Sequence, residues 1–412
     1  MRIAFISYEY PPDTAVGGIA TYVFQAASML CSRGHEVEVF TASQHRDGEE
    51  LCDGIRVHRL HTDDRDAFPQ RIAPVFADRH QAAPFDVLEG PDLMAEAGPA
   101  AALAPDVALV VKLHTSMFMI RRIVFSTLSF RTRLRKRLGA WRRGECPAWN
   151  RDHAAHAVER QFALAADEVA APCRAIARYC LRAWGLQSSR TTCYPYPFQP
   201  SRDLLAVPVE SNCRTVTFLG RLEIRKGVID LADAIPLVAK QCPKARFQFV
   251  GAPLLSPEPG VDMRTFLQRR LSGYESVVEF KQAVPHDRVA DVYAASDICV
   301  FPSLWENFPF VCLEAMAAAR GIVASSKGGM AEMLDGGVYG NLVPPRHPRA
   351  IAAAIVALLR DPVHRMAMGR AARERVLSEY APARVAPLQE ASYIRAIARH
   401  ARCGERSPVA SL

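Results

Sequence analysis

The chain alternates short apolar runs with helical segments, and this alternation limits the fold more than any single motif does. The run RIAFIS (2–7) precedes a segment with helical spacing that ends at Gly34. Further strand patterns of the first half lie at 36–40, 54–60, 85–89 and 107–114. Strands that alternate with helices are typical of a parallel sheet with helices on both faces. We therefore expect an α/β protein.

The alternation stops once and then begins again. The break is CYPYPFQP (193–200), where three prolines fall within six residues. Strand patterns of the second half lie at 214–220, 245–251, 276–281, 297–303 and 321–326. A chain of 412 residues is long for one ordinary domain. The predicted division is an N-terminal domain 1–195, a C-terminal domain 196–380, a last helix 381–403 that packs back on the first domain, and a disordered tail 404–412.

Composition excludes several classes of protein. Half of the residues are apolar and 23% are charged, which excludes a disordered chain. The 11 cysteines are scattered without a C-x-x-C pair, so neither a zinc site nor a disulfide framework is predicted. The first residues have the pattern of a strand and not of a signal peptide. No apolar stretch approaches the 18 residues of a membrane span. We expect a cytoplasmic protein.

Two loops of the first half are candidates for ligand binding. Ligands of open parallel sheets bind beyond the carboxyl ends of the strands. Gly17 and Gly18 lie in the loop after the first strand, just before a helix, where glycine lets backbone approach a ligand closely. This pair is also compatible with a simple tight turn. His114 ends the apolar strand VALVVKLH, a position that favours a site residue over a structural histidine.

Two loops of the second half carry charged residues. In LGRLEIRKG (219–227), Arg221 and Lys226 precede a helix, where two cations suit a diphosphate, although a solvated basic loop has the same composition. In FPSLWENFPFVCLEAM, which begins at Phe301, Glu306 precedes a predicted helix and Glu314 lies about one turn into it. The free N–H groups of such a turn attract an anion, and a carboxylate beside it can bind a ribose diol. The four loops together predict a site for a nucleoside diphosphate that carries a polyhydroxylated group.

These motifs and their order resemble those of the retaining glycosyltransferases of family 4. The resemblance is carried by LGRLEIRKG, ASDICVFPSLWENFPFVCLEAM and SSKGGMAEML and extends over nearly the whole chain. It implies the GT-B fold, in which two Rossmann-like domains face each other across a cleft. The first would bind the acceptor and the second the nucleotide sugar. The implied activity is that of a retaining hexosyltransferase, which transfers a sugar from a nucleotide sugar to an acceptor hydroxyl.

The resemblance also implies roles for individual residues. Glu306 would bind hydroxyls of the donor sugar, Arg221 and Lys226 the diphosphate, and His114 would lie beside the transferred sugar and the leaving phosphate. These four are the predicted catalytic residues. The predicted donor-binding residues, with Glu314 on the ribose and Gly329 shaping the sugar pocket, are Gly17, Gly18, Asn307, Phe308, Phe310, Val311, Glu314 and Gly329.

The chain departs from the family pattern in places. Asn307-Phe308-Pro309 stands where the family often has Gly-Phe-Gly, so one backbone donor to the sugar is missing at Pro309, and the identity of the donor sugar is left open. Glu89, in LEGPD, stands where many relatives have a different residue at the end of a strand, and we expect it on the acceptor side.

No metal and no cofactor are expected, because two cations already neutralise the diphosphate. The acidic stretch HTDDRD (61–66) follows a predicted surface strand and is not predicted to bind metal. Two alternatives remain. A nucleotide-sugar epimerase of the same architecture would turn over its substrate without an acceptor. A non-catalytic scaffold would be expected to lack the charged site residues, which are all present.

One basic segment accounts for the net charge of +8. Residues 121–143 hold nine Arg and Lys and no acidic residue, with Phe130, Leu134, Leu138 and Trp141 at helical spacing. Such a helix suits binding to an anionic membrane surface, and it equally suits a solvated helix that covers the first sheet. The membrane interpretation predicts a protein at the inner face of the plasma membrane, with a glycan or lipid-linked acceptor of cell-surface polysaccharide assembly. No nucleic-acid partner is expected, since no binding module is recognisable.

Overall fold

The computed structural model describes residues 1–14, 17–127, 134, 148–211 and 214–403, with the backbone alone at 148–156. The chain forms two compact units. The first holds the described residues of 1–121, 134–198 and 380–403, and the second holds those of 122–127 and 199–379. Each unit has its own sheet. The predicted α/β class with two parallel-sheet domains is confirmed.

The sheet of the first unit has eight strands in the order β3-β4-β2-β1-β5-β6-β7-β8. All neighbours pair in parallel except β3, which is antiparallel to β4. The strands are β1 (Arg2–Ile6), β2 (Glu36–Ser43), β3 (Gly48–Cys52), β4 (Ile55–His61), β5 (Val87–Pro91), β6 (Ala108–Lys112), β7 (Glu168–Ala171) and β8 (Thr191–Cys193). Buried apolar residues fill the central strands, as expected of a sheet covered on both faces.

Among the residues that the structure describes, six helices begin in this unit before its last strand. They are α1 (Gly18–Ser32), α2 (Phe68–Ala82), α3 (Gly98–Leu103), α4 (Met117–Thr127), α5 (Ala148–Ala165) and α6 (Arg174–Trp184). Residues 92–103 have a helical composition but do not form one continuous helix. A 3-10 turn, Leu93–Ala95, with positive φ at Met94 and Ala95, precedes α3. Pro99, in the first turn of α3, starts a new helix because its ring is tolerated there and not in a helix interior.

The sheet of the second unit has six strands, all parallel, in the order β11-β10-β9-β12-β13-β14. The strands are β9 (Thr215–Leu219), β10 (Arg246–Val250), β11 (Val278–Lys281), β12 (Ile298–Phe301), β13 (Gly321–Ser325) and β14 (Asn341–Val343). The helices are α7 (Arg202–Ala206), α8 (Val228–Gln241), α9 (Met263–Arg270), α10 (Val289–Ala294), α11 (Phe310–Ala317), α12 (Met330–Met333), α13 (Pro348–Arg360) and α14 (Pro362–Glu379). The strands β9 and β12 are neighbours at the middle of this sheet, so their following loops meet at one edge.

The last helix, α15 (Pro382–Cys403), returns to the first unit. It packs against β5, β6, β7 and α1. Its Arg395 binds the fully buried Glu168 of β7 at 2.8 Å, and Arg399 forms a second ion pair with the same carboxylate. The prediction that the C-terminal helix packs back on the N-terminal domain is confirmed.

The basic segment falls largely outside the described residues. The structure describes Arg121 and Arg122 in α4, while Phe130, Leu138 and Trp141 lie outside it. Leu134 is exposed. Of the helices that the structure describes, none has the length and apolar character needed to span a bilayer.

Candidate functional site

A buried carboxylate with two cations lies where the loops after β9 and β12 meet. The loop after β9 forms the 3-10 turn Ile224–Lys226 and reverses at Gly227, whose φ is +70°. A Cβ on Gly227 would lie 2.1 Å from the carbonyl oxygen of Pro302, in the loop after β12. The two loops thus pack backbone to backbone through a glycine. This packing fixes the side chains that follow Pro302 against those of the 3-10 turn.

Glu306 is the centre of this cluster, and it is 7% exposed. Its Oε1 is 3.2 Å from Nη1 of Arg225, forms an ion pair with Nζ of Lys226, and accepts from the Ser303 hydroxyl at 3.2 Å. Its carbonyl oxygen accepts from the backbone N–H of Gly329 at 2.9 Å. Three loops therefore converge on one residue, and two of the predicted catalytic residues, Lys226 and Glu306, are brought together.

Burial and charge act in opposite directions on this cluster. Burial alone would raise the pKa of Glu306, but Lys226 and Arg225 hold that pKa below its usual value. Burial lowers the pKa of Lys226, and the Glu306 carboxylate partly offsets the effect. A buried charge is stable only when paired and hydrogen-bonded, as these are. The cluster thus holds two cations in a place of low dielectric, where each interacts more strongly with a nearby anion than it would in water.

Arg225 is the site residue that the sequence did not identify. Of the loop's two arginines, the sequence analysis chose Arg221, which is exposed in the structure and lies 3.5 Å from Glu223. Arg225 is buried and reaches both Glu223, at 2.9 Å, and Glu306. The only signal was the Gly227 turn, which places the two preceding cations of Ile224–Lys226 on the inner side of the loop.

Glu314 is buried in the first turns of α11, and its environment differs from that of Glu306. The Tyr293 hydroxyl lies 3.1 Å from its Oε2 and 2.9 Å from the carbonyl oxygen of Val311. Burial raises the pKa of Glu314, and His286 partly offsets the rise. The two glutamates of the motif thus lie in different environments, and their pKa values shift in opposite directions.

The remaining predicted donor-binding residues of the second unit lie around the start of α11 and α12. Asn307, Phe308 and Phe310 are buried and Val311 is half-buried. Pro309, expected inside the first turn, is the residue before α11 and has extended backbone. Gly329 precedes α12, and its N–H is already bound to Glu306. Their roles toward a donor stay predictions.

His114 lies in the first unit, two residues beyond β6, and is buried. Its backbone N–H donates to Asp92 Oδ1 at 2.6 Å, and its Nδ1 is 2.7 Å from the Tyr196 hydroxyl. Burial lowers the pKa of His114 to about 3, and the charges of Lys112 and Arg65 act in the same direction. The imidazole is neutral at physiological pH, so it can offer hydrogen bonds but no charge.

The Gly17-Gly18 pair begins α1, also in the first unit. The φ of Gly17 is −151°, an extended value that any residue adopts. Glycine is needed there for space, because a Cβ would lie 2.8 Å from Oε2 of Glu9. The group that approaches the backbone closely at this loop is therefore the carboxylate of Glu9, a residue of the chain itself.

Glu89, expected on the acceptor side, is instead a buried structural residue. It is 1% exposed, and its carboxylate accepts from Tyr22 and Tyr393, each at 2.7 Å, and from Gln389 at 3.4 Å. Tyr393 and Gln389 belong to α15. The residue thus joins the C-terminal helix to the first sheet.

Comparison with known proteins agrees with the two-unit architecture. The model of a glycosyl transferase 4-like domain matches residues 17–197, and that of glycosyl transferases group 1 matches residues 213–361. A D-inositol 3-phosphate glycosyltransferase of Kineococcus radiotolerans is 30% identical over 90% of each chain. Among solved structures, sucrose-phosphate synthase of Thermosynechococcus elongatus superposes with a TM-score of 0.72 at 22% identity, covering 97% of this chain and 99% of that one. HepE of Anabaena, solved in complex with UDP-glucose, gives 0.65 at 20% identity, over 95% and 100% of the two chains.

Two parallel-sheet units with a paired carboxylate at the central strand ends define a GT-B protein. The chain belongs to the glycosyl transferases group 1 family, and it is a glycosyltransferase. The resemblance carried by its motifs is thereby confirmed.

Proposed function

We propose that the protein transfers a hexose from a nucleotide-diphosphate sugar to an acceptor hydroxyl with retention of the anomeric configuration. The observation that carries this proposal is the buried cluster of Glu306, Arg225 and Lys226 at the ends of β9 and β12. A nucleoside diphosphate is the anion that such a cluster and the adjacent helix start would suit. The solved complex of HepE with UDP-glucose adds support from a protein of the same fold.

The chemistry asked of the cluster is stabilisation of a leaving diphosphate. Negative charge develops on the phosphate oxygens as the glycosidic bond breaks. Lys226 and Arg225 are already oriented, and largely shielded from solvent, before that charge appears. Glu306 fixes both cations and offers Oε2 to hydroxyls of the sugar. Since two cations are in place, the proposed transfer needs neither a metal ion nor a cofactor. Arg221, on the exposed side of the same loop, would contact the outer phosphate.

The test of the donor site is thermal unfolding of the full chain with UDP, GDP, ADP, TDP and NAD, each with and without magnesium. A ligand that binds only the folded state raises the midpoint, by an amount that reflects its concentration relative to Kd. We expect one nucleoside diphosphate to raise it equally with and without magnesium. A rise with NAD alone, or with none of the five, would overturn the proposal.

Turnover separates the proposed transferase from an epimerase or a scaffold. With the matching nucleotide sugar and no acceptor, a transferase releases nucleotide slowly by hydrolysis. An epimerase converts the sugar while nucleotide and sugar stay joined, and a scaffold does neither. Chromatography of the nucleotide pool after incubation distinguishes the three outcomes.

We further propose that the acceptor is a glycan or a lipid-linked sugar of cell-surface polysaccharide or glycolipid assembly, reached at an anionic membrane surface. The support is the concentration of basic residues at 121–143. The protein should sediment with phosphatidylglycerol vesicles at low salt and be released at high salt. Replacing Arg131, Arg133 and Arg135 with Gln should abolish sedimentation.

A control for that experiment removes the same charge elsewhere. Arg269, Arg288 and Arg370 are exposed arginines of the second unit. Their triple replacement with Gln should leave sedimentation unchanged. Equal loss in both triple variants would mean that net charge alone, and not the basic segment, drives binding.

A further inference from the structure

We infer that Tyr196 is a positioning residue for His114: its hydroxyl fixes the imidazole so that Nδ1 carries the proton and Nε2 is the hydrogen-bond acceptor. The inference deepens the proposed function, since it concerns the residue predicted to lie beside the transferred sugar. Tyr196 belongs to the first unit and lies in the proline-rich segment 193–200, whose pattern predicted only a break between domains.

The geometry of three buried atoms supports this tautomer. The Tyr196 hydroxyl oxygen lies 2.7 Å from His114 Nδ1 and 3.2 Å from the carbonyl oxygen of Leu113. A carbonyl oxygen can only accept, and the single hydroxyl proton serves one neighbour at a time. If the hydroxyl donates to Leu113, it must accept from Nδ1–H, and all three atoms are then joined by two hydrogen bonds. In the other tautomer, with the proton on Nε2, the Tyr196 hydroxyl can donate to Nδ1 or to the Leu113 oxygen but not to both, so one hydrogen bond is lost.

The protonation states of both side chains permit this arrangement. Burial lowers the pKa of His114 to about 3, so the ring carries one proton. Burial raises the pKa of the Tyr196 hydroxyl well above its usual value, so the hydroxyl keeps its proton. In a neutral histidine, a hydrogen bond to one ring nitrogen decides which of the two nitrogens holds the proton. Here the hydrogen bond to Nδ1 is made by the Tyr196 hydroxyl, which stays protonated.

Tyr196 is itself held rigidly. Pro195 and Pro197 flank it and restrict the backbone. Its ring is 3% exposed and packs against Tyr22, with ring centroids 4.6 Å apart. Lys112 Nζ lies 5.4 Å from the ring centroid. A hydroxyl fixed in this way can orient its partner, as the second hydrogen bond of a ligating histidine does in metal sites.

Both the backbone and the ring of His114 are held in place. Asp92 binds its backbone N–H at 2.6 Å, and Tyr196 binds Nδ1. Tyr22 packs against the same ring with centroids 5.3 Å apart. A neutral ring with an unprotonated Nε2 accepts a hydrogen bond from a sugar hydroxyl and does not favour a carboxylate. A ligand that contacts Nε2 should therefore present a hydroxyl, and not an acid group.

The first test needs no ligand. The full chain with ring-¹⁵N-labelled histidine is studied by long-range ¹H–¹⁵N correlation, which reports the protonated nitrogen of each ring. The chain has 12 histidines, and His114 is assigned by the signals that vanish in His114→Gln. We expect a protonated Nδ1 in the wild type. In Tyr196→Phe the two nitrogen shifts of His114 should converge, because the hydroxyl that selects the tautomer is lost.

Tyr22→Phe is the matched control. It removes a hydroxyl from the same buried cluster, but that hydroxyl binds Glu89 at 2.7 Å and not the imidazole. Its His114 signals should stay those of the wild type, even if both variants lose similar stability. A wild-type His114 protonated at Nε2, or convergence in both Phe variants, would overturn the inference.

The second test measures hydrolysis of the nucleotide sugar identified by the unfolding panel. Tyr196→Phe should lower the maximal rate roughly two- to tenfold, the effect of one ordinary hydrogen bond, with little change in donor KM. Tyr22→Phe should keep the rate. An unchanged rate in Tyr196→Phe would overturn the inference. If no nucleoside diphosphate binds at all, the proposed function fails while the tautomer experiment still gives its answer.

Discussion

At the scale of single residues, the second unit holds two glutamates of one apolar run in different environments. Glu306 is tied to two cations that lower its pKa, whereas burial raises the pKa of Glu314 beside a tyrosine hydroxyl. Each carboxylate has a partner from another part of the chain, which accounts for charged residues in a segment that is otherwise core.

Replacing Glu306 with Gln should destabilise the fold as well as the donor site. The change removes the counter-charge of Lys226 and leaves Arg225 paired with Glu223 alone, and breaking a buried pair on one side costs roughly 3–5 kcal/mol. We expect the free energy of unfolding in urea to fall by about 3 kcal/mol, since Gln keeps part of the hydrogen bonding. The control is Glu279→Gln, an exposed partner of Lys281, which should change it by less than about 1 kcal/mol. Equal stability of both variants would mean that the Glu306 cluster makes no net contribution to the free energy of unfolding.

Gly328 permits the approach of the β13 loop to Glu306. Its φ is +83°, and a Cβ there would lie 1.9 Å from the Glu306 carbonyl oxygen. Gly328→Ala should therefore cost more than about 2 kcal/mol in the free energy of unfolding and abolish the nucleotide-dependent rise of the midpoint. Gly336→Ala is the control, with φ of +66° and no atom within 4 Å of the added Cβ, and should cost about 1 kcal/mol of backbone strain. Similar losses in the two variants would show that backbone strain, and not contact with Glu306, is what matters.

Residue types alone could identify the site loops but not every residue in them. Glu306, Glu314 and Lys226 were predicted because their loops follow strands at the sheet's carboxyl edge. The choice between Arg221 and Arg225 depends on a 3-10 turn of three residues and on the approach of a second loop 75 residues later, through Gly227 and Pro302. Such a tertiary contact has no local signal in the sequence.

At the scale of elements, the alternation of apolar runs with helical spacing predicted most of the core strands. It missed the short strands β7, β8 and β14, and also β3, a polar and mostly exposed edge strand. The turn before β4 is Asp53-Gly54, with φ of 49° and 82°, a pair typical of a two-residue hairpin. This Asp-Gly turn is the feature of the sequence that could have predicted β3 as the partner of β4 in a hairpin. Exposed edges lack the apolar pattern that reveals buried strands.

Glu38 joins three elements of the first unit and should make its stability depend on acid pH. This residue of β2 lies 2.7 Å from His58 Nε2 on β4 and 2.7 Å from Arg79 Nη2 on α2. Burial alone would raise its pKa, but these partners lower it to about 2. Because the folded pKa is below the unfolded value of about 4.3, the stabilisation is complete above that value and is lost as the pH falls toward 2.

The measurement is urea unfolding of wild type and Glu38→Gln between pH 7 and pH 2.5. The variant should be less stable by about 1–3 kcal/mol at pH 7, and the difference should shrink below pH 4. Glu36→Gln, on the same strand with a side chain 74% exposed, is the control and should differ little from wild type at any pH. A Glu38 effect that is constant with pH would refute the assignment to the carboxylate charge.

The C-terminal helix is held by a buried polar network. Tyr393 donates to Glu89 at 2.7 Å and accepts from Gln389 at 2.7 Å. Tyr393→Phe removes a partner of a buried carboxyl group, which should lower the free energy of unfolding by about 1–3 kcal/mol. Tyr339→Phe, a half-buried ring that keeps its contact with Arg375, should change it by less than about 0.5 kcal/mol. A loss of similar size in both would point to a general effect of the missing hydroxyl.

At the scale of the whole molecule, the chain order makes one unit an insertion in the other. Apart from residues 122–127, which belong to the second unit, the first unit takes residues up to 198 and again from 380, and the second takes 199–379 between them. Phe198 N–H donates to the Tyr380 carbonyl oxygen at 2.8 Å, so the two crossing points are hydrogen-bonded to each other. The proline-rich break predicted the first crossing region, because prolines interrupt regular structure. The second crossing lies between two long helices and has no comparable composition signal.

Because each unit has its own sheet and core, a nucleoside diphosphate bound by the Glu306 cluster should protect one unit first. Hydrogen exchange of the full chain, with and without the nucleotide that raises the midpoint, is the measurement. At about 100 times Kd the ligand contributes roughly 2.7 kcal/mol. Slower exchange is expected at 219–227, 301–315 and 325–330, with α2 and β2 of the first unit unchanged. Lys226→Gln serves as the control, because it removes one of the two cations proposed to bind the diphosphate, and it should show no protection at these segments. Protection confined to the first unit would place the nucleotide elsewhere and refute the assignment of the donor site to β9 and β12.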